Sequence, residues 1–175
     1  MHSIAAPRLR RTAFTATLVA ALLAASFTVG LVLQMRAQDA AGIGTIKTSY
    51  SFDVTDTAKV MDYADQAFVG EVVGVARTEE ARSATVWKVR VVDAVKGTPG
   101  EVVLVRQLGY VDKNSRAHVA EDQPLLQIGS RQLLVTTRTP VAGELTLIGG
   151  PRASVPIKTS TDQRRVVDEY AAAAR

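Results

Sequence analysis

Alternating apolar and polar residues run through the middle of the chain and predict a β-rich domain. Within residues 85–95, Trp87 and Val89 face one way while Lys88 and Arg90 face the other. This period of two is typical of a strand with one buried face. Apolar and β-branched runs bounded by turn residues predict further strands at 67–77, 101–107, 131–138, 144–148 and 153–157.

Helical patterns flank these strands. Residues 57–65 carry a short apolar stripe behind a capping Thr55 or Asp56, and residues 162–174 place Val166 and Tyr170 on one side. The polar stretch 109–123 has no period and predicts a long loop. Five or six short strands joined by tight turns favour a small five-stranded β-barrel that hides its edges, with an open β-sandwich as the alternative.

The N-terminal part has a different pattern. From Thr12 to Met35 there are 24 consecutive residues without a charge. A membrane-spanning helix needs about 20 mostly apolar residues, whereas the core of a secretory signal has roughly 7–15. The length therefore favours an uncleaved transmembrane anchor. A cleaved signal is the alternative, because Ala24-Ala25-Ser26 and Ala40-Ala41-Gly42 both offer small residues at a cleavage position.

The charges beside this segment predict its orientation. Arg8, Arg10 and Arg11 precede it and Arg36 follows it, so the N-terminus is expected in the cytoplasm and the C-terminal domain outside the cell. The predicted organisation is a cytosolic basic N-terminus at 1–11, a transmembrane anchor at 12–35, a linker at 36–55, the barrel domain at 56–159 and a C-terminal helix at 160–175. The expected location is a single-pass cell-membrane protein, or a secreted protein if the signal is cleaved.

Charge and cysteine content narrow the functional classes. All 17 acidic residues, but only 17 of the 21 basic ones, lie beyond Arg36, so the exported part is formally neutral. A nucleic-acid partner is not expected, because such proteins usually present a basic face to the phosphates. The chain has no cysteine, which excludes disulfides, thiolate metal sites and a cysteine nucleophile.

Several motifs resemble the netrin-module/TIMP-like OB-fold superfamily, in particular its bacterial exported members. They are ADQAFVGEVVGV at 64–75, the strand and Val-Lys-Gly turn within 87–105, PLLQIGSRQLLV at 124–135, and Gly149-Gly150-Pro151. The resemblance spans residues 57–157. Their order along the chain is distinctive, whereas each motif alone is weak.

The resemblance implies a five-stranded OB-like barrel and a non-enzymatic, protein-binding role. The resemblance does not imply an inhibitory mechanism for this chain. In the protease-inhibiting members, an N-terminal cysteine chelates the metal of the target, and disulfides fix that edge of the domain. This chain has neither feature, so metalloprotease inhibition by that route is disfavoured.

Candidate functional residues are few. The chain lacks the zinc-protease, serine-hydrolase, phosphate-loop and dinucleotide motifs, and His118 is its only histidine beyond the N-terminus. The predicted loop carries the most plausible contact surface, formed by Tyr110, Asp112, Lys113, Arg116 and His118. A metal site of His118 with Glu121 and Asp122 competes with an ordinary solvated loop, which is the more frequent case.

The predicted function is a membrane-anchored binding or assembly module outside the cytoplasm, without catalytic activity, metal or cofactor. Its partners would be the membrane, through the N-terminal helix, and a protein or an envelope ligand. The alternative is an exported hydrolase whose carboxylates and hydroxyls come together only in the fold. A His118 buried in a cleft beside Asp112, Glu121 or Asp122 would favour that alternative.

Overall fold

A computed structural model describes residues 43–175 of the chain. The predicted cytosolic segment, the predicted transmembrane helix and the start of the predicted linker lie outside this range. In the described residues no helix is both long and apolar enough to span a bilayer. The strands are β1 (Ile43–Ile46), β2 (Gln66–Glu79), β3 (Ala84–Lys96), β4 (Val102–Val111), β5 (Ala117–Ala120), β6 (Arg131–Arg138), β7 (Glu144–Leu147) and β8 (Ser154–Pro156), and the helices are α1 (Thr57–Tyr63) and α2 (Ser160–Ala173).

Five of the strands close into a barrel, as predicted. The order is β4-β3-β2-β6-β7, with antiparallel neighbours, and β7 returns to pair with β4 in parallel. That last pairing runs from Leu104 opposite Glu144 to Arg106 opposite Thr146. It joins the two outer strands of the sheet, so the five strands form a closed ring. The predicted barrel is therefore confirmed over the sandwich alternative.

The barrel interior is filled by apolar side chains. Trp87 is 2% exposed and Val89 is fully buried, while Lys88 and Arg90 are exposed, which confirms the predicted orientation of β3. Strand β2 has apolar residues on both faces because Phe68 points into the barrel and Val69 belongs to a second core. That second core lies where β2 and β6 meet the helices, and it includes Tyr170 of α2.

Two short strands were not predicted. Residues 36–55 were expected to be a linker, but β1 begins at Ile43 and pairs in parallel with β5. Residues 109–123 were expected to be a loop, but β4 continues to Val111 and β5 forms a hairpin with it. Neither four-residue segment carries enough periodicity to be recognised by itself, whereas the equally short β7 was marked by the Pro-Val-Ala-Gly turn at 140–143.

Candidate functional site

The five candidate residues all lie on the β4–β5 hairpin. Tyr110 is on β4, His118 is on β5, and the two are direct cross-strand partners. Asp112, Lys113 and Arg116 belong to the turn between the strands. The structure therefore brings together residues that the sequence placed only in a common loop.

Asp112 fixes the conformation of this turn. Its Oδ1 accepts hydrogen bonds from the backbone N–H of Asn114 at 2.8 Å and of Arg116 at 3.0 Å. The backbone N–H of Asp112 donates to the carbonyl of Arg116, also at 3.0 Å. The bonds accepted by the carboxyl, above all the one from the Arg116 amide, then those from His118 and the Asn114 amide, lower its pKa below the usual value of 3.8.

The second oxygen of Asp112 holds His118. Its Oδ2 lies 3.1 Å from Nε2 of the imidazole, so a carboxylate partner for His118 is present. The ring stacks on Tyr110, with centroids 4.6 Å apart and planes within 9°. Gly44 of β1 also approaches the ring, because a Cβ at this position would lie only 2.6 Å from Nδ1 of His118. Glycine at position 44 therefore allows β1 to dock against β5.

The exposed charges of the hairpin are cationic. Lys113 and Arg116 are both exposed, whereas Tyr110, Asp112 and His118 are partly buried. Within residues 43–175 neither cation forms an ion pair. The turn thus displays two exposed positive charges on a backbone fixed by the Asp112 carboxylate.

The two acidic residues that the sequence grouped with His118 as a possible metal site do not bond to it. Asp122 accepts a hydrogen bond from the Tyr50 hydroxyl at 2.9 Å. Among the described residues, Asp112 is the only hydrogen-bonding partner of the His118 side chain. No three histidine or acidic residues of the described chain lie close enough together to hold a metal ion. His118 is 25% exposed and does not line either of the two cavities described below. The Asp112 contact expected of the catalytic alternative is therefore present, and the imidazole remains partly exposed.

A second polar cluster was not predicted and lies at the barrel seam. Arg106 of β4 forms two hydrogen bonds with the Glu79 carboxylate, at 2.6 and 3.2 Å, and a longer one with Glu144 at 3.4 Å. Arg77 contacts the same two carboxylates. Hydrogen bonds from Arg106 and then Arg77 lower the pKa of Glu79 from 4.5 to about 2. The four residues come from three strands, and only Arg77 and Glu79 are close in sequence, so the spacing gives no signal for the cluster.

A cavity of about 390 Å³ opens on the described domain beside the start of α2 and is lined by Arg131, Lys158 and neighbouring residues. Another, of about 270 Å³, lies between residues 48–50 and the barrel.

Comparison with models of known protein families gives no match, and comparison with curated proteins gives none either. The resemblance to the netrin-module/TIMP-like superfamily therefore stays a prediction from the quoted motifs.

Proposed function

We propose that this chain is a membrane-anchored binding module whose barrel domain lies outside the cytoplasm and acts without catalysis. The observation that carries the proposal is the β4–β5 hairpin. Asp112 fixes the turn with three hydrogen bonds from three different residues, and the turn displays Lys113 and Arg116 to solvent. A surface that is already ordered loses less conformational entropy when a partner binds.

The location is supported by the sequence. The uncharged segment 12–35 has the length of a bilayer-spanning helix, and three arginines stand on its N-terminal side. The absence of cysteine means that the domain is held together by its two apolar cores and its hydrogen bonds rather than by disulfides. The proposal places the hairpin where envelope components and surface proteins are within its reach.

The barrel is proposed to be of OB type. In chain order its five strands are β2, β3, β4, β6 and β7, and the closing pair joins the third strand to the fifth in parallel. A five-stranded Greek-key barrel of this kind commonly binds its ligands with loops and one sheet face. This order supports the OB-like part of the predicted resemblance and a binding role.

The partner is proposed to be an anionic protein surface or envelope polymer. Lys113 and Arg116 are exposed and have no ion-pair partner among residues 43–175, which favours a partner with complementary negative charge. Nucleic acid is not proposed, because the exported part has no net positive charge.

The test is site-specific photo-cross-linking of the full-length chain in intact cells. A photoreactive residue replaces Asn114, an exposed residue of the turn, so that Lys113 and Arg116 both stay in place. A second variant of the chain carries the photoreactive residue at Lys158, an exposed lysine outside the hairpin. We expect a discrete adduct from position 114 that is absent from position 158 and that weakens in the Arg116→Gln background. Equal labelling from both positions, or no adduct at 114, would contradict the proposal.

The exported hydrolase is the second candidate, and the Asp112–His118 pair favours it. A carboxylate that orients an imidazole is one element of a general base. Its test uses the purified full-length chain with chromogenic esters. Hydrolysis that disappears in His118→Gln, a variant able to keep a hydrogen bond to Asp112, would establish this candidate. Our proposal expects no hydrolysis by either protein above the rate in buffer.

A further inference from the structure

Residues 43–54 form a strap that crosses one end of the barrel. The strap begins with β1, which pairs with β5. Further along it, Tyr50 lies directly over Gly149, where any Cβ would collide with the tyrosine ring. The Tyr50 hydroxyl donates to Asp122 Oδ1 at 2.9 Å. The strap is thus held at both ends of its course across the barrel.

The cavity of about 270 Å³ lies beneath the strap. Three hydroxyl-bearing residues, Thr48, Ser49 and Tyr50, line it together with the apolar Leu108 and Leu147. Among the described residues, no charged one lines it. A ligand that matches these walls is small and neutral, with hydroxyl groups on one side and C–H surface on the other.

Gln123 gives the cavity a hydrogen-bond acceptor. This residue is 2% exposed and lines the cavity. Its Nε2 donates to the carbonyls of Ile148 at 3.0 Å and Gly150 at 3.4 Å, which fixes the orientation of the amide. No residue of the described range donates to its Oε1. With Nε2 fixed in this way, Oε1 is the acceptor that Gln123 can offer to a molecule in the cavity.

The geometry points to a binding site for a neutral sugar unit in the cavity beneath the strap. One ligand hydroxyl donates to Gln123 Oε1, others exchange hydrogen bonds with Thr48 and Ser49, and the C–H face of the ring packs on Leu108 and Leu147. A carboxylate-bearing sugar is excluded by the lack of a cation in the walls and by the negative charge of Asp122 next to Tyr50. This site is separate from the hairpin cations and does not rest on the function proposed for them.

The test is saturation-transfer NMR on the full-length chain, purified in a detergent without a sugar headgroup. The probes are glucose, N-acetylglucosamine and glucuronate. We expect transfer to at least one of the neutral sugars and none to glucuronate. Thr48→Val, which removes one hydroxyl at constant size, should weaken binding about three- to tenfold. The matched control is Thr45→Val on the exposed part of the strap, which should bind like the unmodified chain.

A second variant tests whether the cavity itself is the binding site. Ala120, a buried residue of β5, also lines the cavity, and Ala120→Leu would fill it. We expect this variant to keep the β-type circular dichroism spectrum and to lose sugar binding. Transfer to glucuronate as strong as to the neutral sugars, no transfer to either neutral sugar, or equal affinity of Thr48→Val and Thr45→Val would overturn the inference. The Thr48 comparison decides the question even if Ala120→Leu does not fold.

Discussion

Gln107 connects the buried tryptophan to the segment that follows the hairpin. The residue is completely buried, and its Oε1 accepts hydrogen bonds from Trp87 Nε1 and from the backbone N–H of Leu126, both at 3.0 Å. Its Nε2 donates to the carbonyl of Pro124 at 2.8 Å. The side chain thereby ties the 124–126 segment to the barrel, where Leu125 and Leu126 join the interior core.

Replacing Gln107 with leucine should lower the free energy of unfolding by about 2–4 kcal/mol. The substitution nearly keeps the side-chain volume but leaves Trp87 Nε1 and the Leu126 amide without partners in a buried place, and it also removes the hydrogen bond to the Pro124 carbonyl. The measurement is urea denaturation followed by the fluorescence of Trp87. As the control, Gln127→Leu changes an exposed glutamine of the adjoining segment and should stay within about 0.5 kcal/mol of the unmodified protein. Similar midpoints for the two variants would show that the Gln107 hydrogen bonds contribute little.

The orientation of Trp87 was predictable from sequence, whereas its partner was not. Alternation along β3 fixes which face a side chain takes, and that is a local property. The contact with Gln107 depends on the register of β3 against β4, in which Trp87 lies opposite Val105. The same limit applies at the candidate site: the sequence placed Asp112 and His118 in one segment, but their contact depends on the turn geometry.

At the scale of elements, strands of eight or more residues were predictable, whereas the four-residue strands β1 and β5 were not. In β2 and β3 the β-branched residues and the alternation extend over most of the strand. Strand β1 consists of Ile-Gly-Thr-Ile, and its stability comes from pairing with β5 and from the ring of His118 over Gly44. These contacts are long-range and leave no pattern within four residues, so the sequence alone predicts a linker or a loop there.

Asp112→Ala should loosen the hairpin turn while both exposed cations remain. The variant removes the acceptor for the Asn114 and Arg116 amides and the partner of His118. We expect faster hydrogen exchange of these two amides and weaker photo-cross-linking from position 114. Glu121→Ala, at an exposed acidic position just after β5, is the control. If the variant cross-links as strongly as the unmodified chain, the ordered turn is not what the partner recognises.

The charged cluster at the seam should make the stability of the domain depend on pH in the acid range. The folded state keeps Glu79 ionised down to about pH 2, whereas in the unfolded chain this carboxyl takes up a proton near its ordinary pKa of 4.5. The stabilisation is therefore complete above about pH 4.5 and is lost as the pH falls through this range towards 2. Chemical denaturation across this range should show a smaller decline for Glu79→Gln than for the unmodified domain.

Glu80→Gln is the matched control for this titration. Glu80 is exposed and follows Glu79 directly, but it has no ion pair within the described residues. The control should keep the full acid dependence. An unchanged decline in Glu79→Gln would show that carboxylates elsewhere account for the loss of stability in acid.

At the scale of the whole molecule, the closure of the barrel is the feature least accessible from sequence. It depends on the parallel pairing of β4 with β7, about 40 residues apart along the chain. The number of strands and the need to hide their edges favoured a barrel, but they did not specify which strands would meet. The position of the domain in the cell depends instead on residues 12–35, and there the sequence pattern is the whole basis of the prediction.

The full-length chain should behave as a single-pass membrane protein with its barrel outside the cytoplasm. The uncharged segment is long enough to span the bilayer, and the arginines at 8, 10 and 11 hold its N-terminal side inside. The chain is therefore expected in the membrane pellet after a high-salt wash, and trypsin added to intact cells should cut beyond Arg36, for example at the exposed Lys47. Replacing the three N-terminal arginines with glutamate should reduce the fraction of the chain that trypsin cleaves.

A soluble mature chain that begins near Phe27 or Ile43 would instead establish a cleaved signal. Cleavage at the second position would leave the chain starting at the first residue of β1, so N-terminal sequencing of the mature protein distinguishes all three outcomes.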